Sequence, residues 1–145
     1  MKIGIASDHA GFEFKKYLKE KLKKEGYEVI DFGPEVNKSV DYPDYAAKVA
    51  RNIEGKKIER GILICGTGIG MSMSANKFEE VRAAQCNSIY LAKLAREHNN
   101  ANILTIGARI VAKELAWEIT NVFLETPFLK GRHLRRVNKI KKLKC

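Results

Sequence analysis

The 145-residue sequence has little cysteine, little proline and no long apolar run, and each shortage closes off a class of protein. Its three cysteines, Cys65, Cys86 and Cys145, are odd in number and form no CxxC pair, which argues against a disulfide framework or a zinc ribbon. No set of His, Cys, Asp and Glu has a recognised metal-ligand spacing either. No stretch approaches the ~18 consecutive apolar residues of a membrane span, and Met1 to Ala6 reads as a strand rather than a charged leader. A soluble, cytoplasmic protein with no membrane partner is expected. Low-complexity stretches and internal repeats are missing too, so residues 1–145 read as a single domain large enough to bury an apolar core.

Charge is plentiful but unevenly placed. The formal net charge is +10. From Met1 to Glu125 there are 19 Lys/Arg against 17 Asp/Glu, a net of +2, whereas Lys130 to Cys145 holds eight basic residues and no acidic one. Such a terminal run could bind nucleic acid, hold a phosphorylated small molecule through two or three of its members, or form a solvated helix face. Aromatic residues do not interleave with the basic ones there, which argues against single-strand stacking and against a nucleic-acid partner.

Short apolar runs, each followed by a segment of helical period, predict βαβ units on a parallel sheet. Five strands are expected, at Lys2 to Ser7, Tyr27 to Phe32, Gly61 to Cys65, Arg82 to Cys86 and Ile103 to Gly107. The first intervening helix would bury Phe14, Tyr17, Leu18 and Leu22 beneath a Lys/Glu-rich outer face and stop at Gly26. Later helices would bury Ala46, Val49, Ala50 and Ile53, then Leu91, Leu94 and Ala95, then Leu115, Ile119, Val122 and Phe123, the last ending at Thr126-Pro127. The fold class is α/β, a three-layer Rossmann-like sandwich with a five-stranded parallel sheet and a C-terminal basic helix.

Ligands of such a sheet bind beyond the carboxyl ends of the strands. Strand one ends in Ser7-Asp8-His9-Ala10-Gly11 and strand three in Cys65-Gly66-Thr67-Gly68-Ile69-Gly70, before a helix expected near Met71. The glycines let backbone N–H groups face an anion, or simply permit close strand–helix packing. The dinucleotide fingerprint fails because Met71 stands where its last glycine belongs, and no GxxxxGK[ST] phosphate loop is present. Cys65, next to a helix N-terminus, is a candidate base or nucleophile; the alternative is a small buried hydrophobe. Cys86, without a glycine loop, is assigned to that alternative, and Cys145 to a frayed end. His98 closes an apolar stripe, as a capping histidine does, yet it is one of only three histidines able to titrate near neutrality. Arg132 and Arg136, four apart, share a helix face suited to a phosphate or to solvent.

Taken together, Ser7-Asp8-His9-Ala10-Gly11, Asp41-Tyr42-Pro43-Asp44-Tyr45, Ile64 to Gly70, Ala75-Asn76-Lys77 and Gly131-Arg132-His133 resemble the ribose-5-phosphate isomerase B family over nearly the whole chain. The related galactose-6-phosphate isomerase subunits share the fold. The resemblance implies cofactor-free interconversion of D-ribose 5-phosphate and D-ribulose 5-phosphate, a step of the non-oxidative pentose phosphate pathway. It also implies a homodimer, sometimes paired further, whose active sites draw on both subunits. On this chain Cys65 would be the base, and N–H groups from Gly66, Thr67, Gly68, Ile69 and Gly70 would stabilise a cis-enediolate. His98 would open the sugar ring and Asp8 and Thr67 would handle hydroxyl protons. Tyr42 and Asn99 would position the sugar, and His9, Arg109, Arg132 and Arg136 would bind the phosphate end. Some family members replace the cysteine with a glutamate just after the last loop glycine; Met71 occupies that place here, as in the cysteine-based subtype.

Overall fold

Alternation along β1 (Lys2–Ser7) and β3 (Arg60–Cys65) sends successive side chains to opposite faces of one sheet, and both faces are apolar. The computed structural model describes residues 1–143, so Cys145 lies outside the described residues. With β2 (Glu28–Asp31), β4 (Ala83–Gln85) and β5 (Ile103–Gly107), the strands form an all-parallel sheet in the order β2-β1-β3-β5-β4. Ile3, Ile5, Ile62, Ile64, Leu104 and Ile106 pack against α1 (Phe12–Lys24), α4 (Ile89–Asn99) and α5 (Lys113–Glu125). Ala6, Leu63 and Cys65 pack on the other face against α2 (Tyr42–Glu54) and α3 (Ile69–Ala75). The basic α6 (Gly131–Lys142) lies outside these layers against α4. This is the expected three-layer α/β architecture.

Strands β1 and β5 have the predicted bounds, whereas β2 and β4 are shorter than expected. Both are edge strands whose first residues are diverted. The Tyr27 N–H closes the α1 C-terminus by donating to the Leu22 carbonyl, and the Arg82 N–H donates to the Asn102 side chain. At β4 the carboxamide of Asn76 takes the role of a sixth strand. Its Oδ1 accepts from the Ala83 N–H at 2.8 Å and its Nδ2 donates to the Ala83 carbonyl at 2.9 Å.

Three helix faces differ from the pattern reading; in α5, Leu115 and Val122 are only partly covered, and Ala116, Thr120 and Leu124 join Ile119 and Phe123 in the core. In α1, Lys15 is buried with Phe12, Leu18 and Leu22, while Phe14 and Tyr17 are only partly covered. Lys15 goes inward because its ammonium finds oxygen partners on the segment after β2. In α4 the buried stripe is Ala92, Ala95 and Arg96, and Leu91 is exposed. Arg96 can be buried because its guanidinium donates to Asn100 Oδ1 and to the Ala101 and Thr126 carbonyls. Burial, reinforced by Arg60 and Arg82, pushes its pKa down to about 10.

Candidate active site

Parallel strands deliver the ends of β1, β3 and β5 to the same end of the sheet, and that end gathers most of the candidate residues. Cys65 pairs in register with Gly107, and Ser7 with Ile64. The Cys65 Sγ is buried and accepts the Gly68 N–H at 3.1 Å. Gly68 makes this possible by adopting the left-handed conformation at φ 80°, and it also starts α3 at Ile69 rather than near Met71. Thr67 Oγ1 accepts from the Ile69 N–H at 3.2 Å, which leaves the hydroxyl proton free to donate.

Neighbouring segments of the chain close over this loop. The Arg109 N–H donates to the Gly66 carbonyl and its guanidinium lies over Gly66. Tyr42, the first residue of α2, lies over Gly70 so tightly that a Cβ there would sit 2.5 Å from the phenol ring. Asp8 Oδ1 accepts the Gly11 N–H at 3.0 Å, and the exposed His9 accepts the Val40 N–H through Nδ1 at 3.4 Å. Asp8, His9, Tyr42, the loop from Cys65 to Gly70, and Arg109 thus occupy one end of the sheet.

The remaining candidates occupy the other end. The Asn102 carbonyl accepts from the Gly61 N–H, level with the start of β3, and His98 and Asn99 end the helix just before it. His98 stacks on His133 of α6, with ring centroids 4.2 Å apart and 12° from parallel, and exposed Arg132 and Arg136 flank the pair on the same helix. Burial, and then the charges of His98, Arg132 and Arg136, hold the His133 pKa below the ordinary histidine range. A groove of about 820 Å³ reaches Asn99 along the β4 edge, lined also by Asn76, Phe78, Arg82 and Ile140. Moreover, α4 covers the sheet face opposite to that of Cys65. A single chain therefore separates His98, Asn99, Arg132 and Arg136 from Cys65 both along the strands and across the sheet.

His133 was not singled out from sequence for a role of its own; the signal was its four-residue spacing from Val137, which marks the buried face of α6. Cys86 is buried, as expected for a structural cysteine, and burial pushes its thiol up to about 12. Among the described residues no cluster of three or more His, Cys, Asp or Glu side chains could hold a metal ion. No helix among them is long and apolar enough to cross a membrane.

The family model for Ribose/Galactose Isomerase matches residues 3–140. The chain belongs to that family. It is 44% identical to ribose-5-phosphate isomerase B of Escherichia coli over 139 residues, covering 96% of this chain and 93% of that protein. Among solved structures, ribose-5-phosphate isomerase B of Clostridium thermocellum superposes with a TM-score of 0.97 at 51% identity, covering 98% of this chain and 96% of that one. A structure of the Mycoplasma genitalium enzyme with bound ribulose-5-phosphate gives a TM-score of 0.94 at 43% identity, covering 97% and 94%. The two solved structures share the fold of this chain over nearly its whole length.

Proposed function

We propose that residues 1–145 act as one sugar-phosphate isomerase domain that interconverts D-ribose 5-phosphate and D-ribulose 5-phosphate, with no cofactor. The observation that carries this reading is the Cys65 sulfur, held by a backbone N–H at the head of a glycine loop with Arg109 laid over it. Family membership and the pentose substrates of the relatives supply the substrate class.

In the proposed reaction His98 opens the furanose ring by acid/base transfer. Cys65 thiolate then removes the C2 proton, and the C–H electron pair forms the C1–C2 double bond while the carbonyl π pair moves to O1. The resulting cis-enediolate oxygen lies where N–H groups of the 66–70 loop can donate to it. Asp8 and Thr67 move the proton between O2 and O1, and the Cys65 thiol returns its proton at C1 to give the ketose. Tyr42 and Asn99 position the sugar, and His9, Arg109, Arg132 and Arg136 hold the phosphate end.

Because His98, Asn99, Arg132 and Arg136 sit at the far end of their own chain's sheet, the reading requires two chains per site, and a cytoplasmic homodimer is proposed. Ile69 and Met73, beside the Cys65 loop, and Ile89, Tyr90 and Leu91 on α4 stand exposed, apolar surface that a second copy would cover. The test is EDTA-treated wild-type and Cys65→Ala protein, each given ribose 5-phosphate and allose 6-phosphate while ketose formation is followed. Metal-free pentose turnover, reduced by about 10³-fold or more in the variant, is expected for loss of the base. A retained rate in Cys65→Ala would reject the base, and an inert wild type would reject the isomerase.

A further inference from the structure

Lys15 is a lysine with only 2% of its side chain exposed, although it sits on a helix whose other lysines face solvent or lie half covered. Its Nζ donates to Asp31 Oδ1 at 2.9 Å and to the Pro34 carbonyl at 2.5 Å, and it lies 5.3 Å from the centre of the Phe12 ring. Neutralising Asp31 does not require it, since Lys19 already reaches the other carboxylate oxygen at 2.7 Å from a more exposed position. Burying a second ammonium costs free energy even when it is paired, so stability is a weak reason for its presence. What Lys15 adds is geometry.

The two acceptors of Lys15 bracket a turn. The Asp31 Oδ1 also accepts the Gly33 N–H at 2.9 Å, and the Gly33 carbonyl accepts the Ser7 N–H at 3.1 Å, immediately before Asp8 and His9. Gly33 and Pro34 are buried, and the chain then runs exposed from Glu35 to Ser39. That exposed stretch is tied at its far end by the Val40 N–H on His9 Nδ1, and it continues into Tyr42 over Gly70. The root held by Lys15 and the tip that touches His9 and Tyr42 belong to one short loop with few other anchors.

We propose that Lys15 is a positioning residue for the isomerase site: through Asp31 and the Pro34 carbonyl it sets the path of residues 33–42. That path keeps His9 accepting at Nδ1, with Nε2–H directed to substrate, and seats Tyr42 on the loop glycine. The proposal rests on the functional reading above for the identity of the substrate, though not for the link between Lys15 and His9.

The test compares wild type with Lys15→Met, which keeps the apolar stem and removes the ammonium, with Lys15→Gln, which is uncharged and too short to reach both acceptors, and with Lys19→Met. Steady-state kinetics with ribose 5-phosphate and ¹⁵N NMR of the His9 ring are measured on each, with folding checked by circular dichroism. Both Lys15 variants are expected to raise KM by about 10-fold with kcat within about 2-fold, and to shift His9 toward a mixture of tautomers. Lys19→Met should leave KM and the His9 signals as in wild type. Val40→Pro, which deletes the donor at the loop tip, should reproduce the His9 change with Lys15 intact. A folded Lys15 variant with unchanged KM and unchanged His9 signals would overturn the proposal, as would a loss confined to kcat. An inactive wild type whose His9 tautomer still responds to Lys15→Met would reject the substrate assignment and leave the positioning role supported.

Discussion

Mixing two inactive variants should restore activity, and the expected amount follows from where the two half-sites lie. Cys65 is at the end of β3 and His98 lies near the level of its start, where the Gly61 N–H meets the Asn102 carbonyl. Four strand residues at about 3.3 Å each place these levels about 13 Å apart, and the intervening sheet adds to the separation. Proton transfer needs a group within about 3 Å of its target, so one chain cannot join the two. In a two-fold dimer each site would take Cys65 from one chain and His98 from the other. A chain carrying Cys65→Ala paired with one carrying His98→Asn then has one doubly defective site and one intact site. Co-expression with two different affinity tags allows the heterodimer to be isolated. Its turnover should be about half that of wild type per dimer, and an unsorted statistical mixture should reach about one quarter, while each parent falls by about 100-fold or more. Ketose formation from ribose 5-phosphate is the assay. A purified heterodimer no more active than its parents would refute the shared site.

Two further outcomes follow from individual contacts. In Gly70→Ala the new Cβ would press on the Tyr42 ring, which is 40% exposed and can swing outward; KM should rise by about 10-fold, with thermal stability nearly unchanged, as read by kinetics and a melting curve. The folded state disfavours protonated His133, so between its lowered folded pKa and the unfolded value of about 6.5 the unfolded chain binds more protons. Stability from this residue is therefore complete above about pH 6.5 and is lost as pH falls through that window; in urea titrations at pH 5 and pH 7.5, His133→Phe should show a smaller difference than wild type.

The central strands and the loop after β3 were legible because their signals are local: continuous apolar runs of five or six residues, and glycines next to the cysteine they serve. The buried faces of α1 and α4 were misread where a cation goes inward. Periodicity ranks Lys15 and Arg96 as surface residues, and the acceptors that permit their burial, Pro34 and Thr126, are distant in sequence. The same limit applied to His98 and His133, whose stacking depends on how α6 returns to α4. Ala75-Asn76-Lys77 marked the resemblance without disclosing that Asn76 is engaged in backbone bonding at the β4 edge. Tyr42 and Arg109, named through family resemblance, approach Gly70 and Gly66, contacts that no local pattern discloses.

The Asn76 carboxamide also governs how this protein can behave in a crowded solution. An open strand edge is a template on which further chains can polymerise, because each newcomer exposes a fresh edge of its own. At Ala83 both outward backbone groups are already satisfied, so a newcomer would gain no ladder bonds there without first expelling the side chain. Contacts made along this border must then be written in side-chain shape and charge, which end once two complementary surfaces have met. Sheet extension is hindered at this border, while finite assembly is left available.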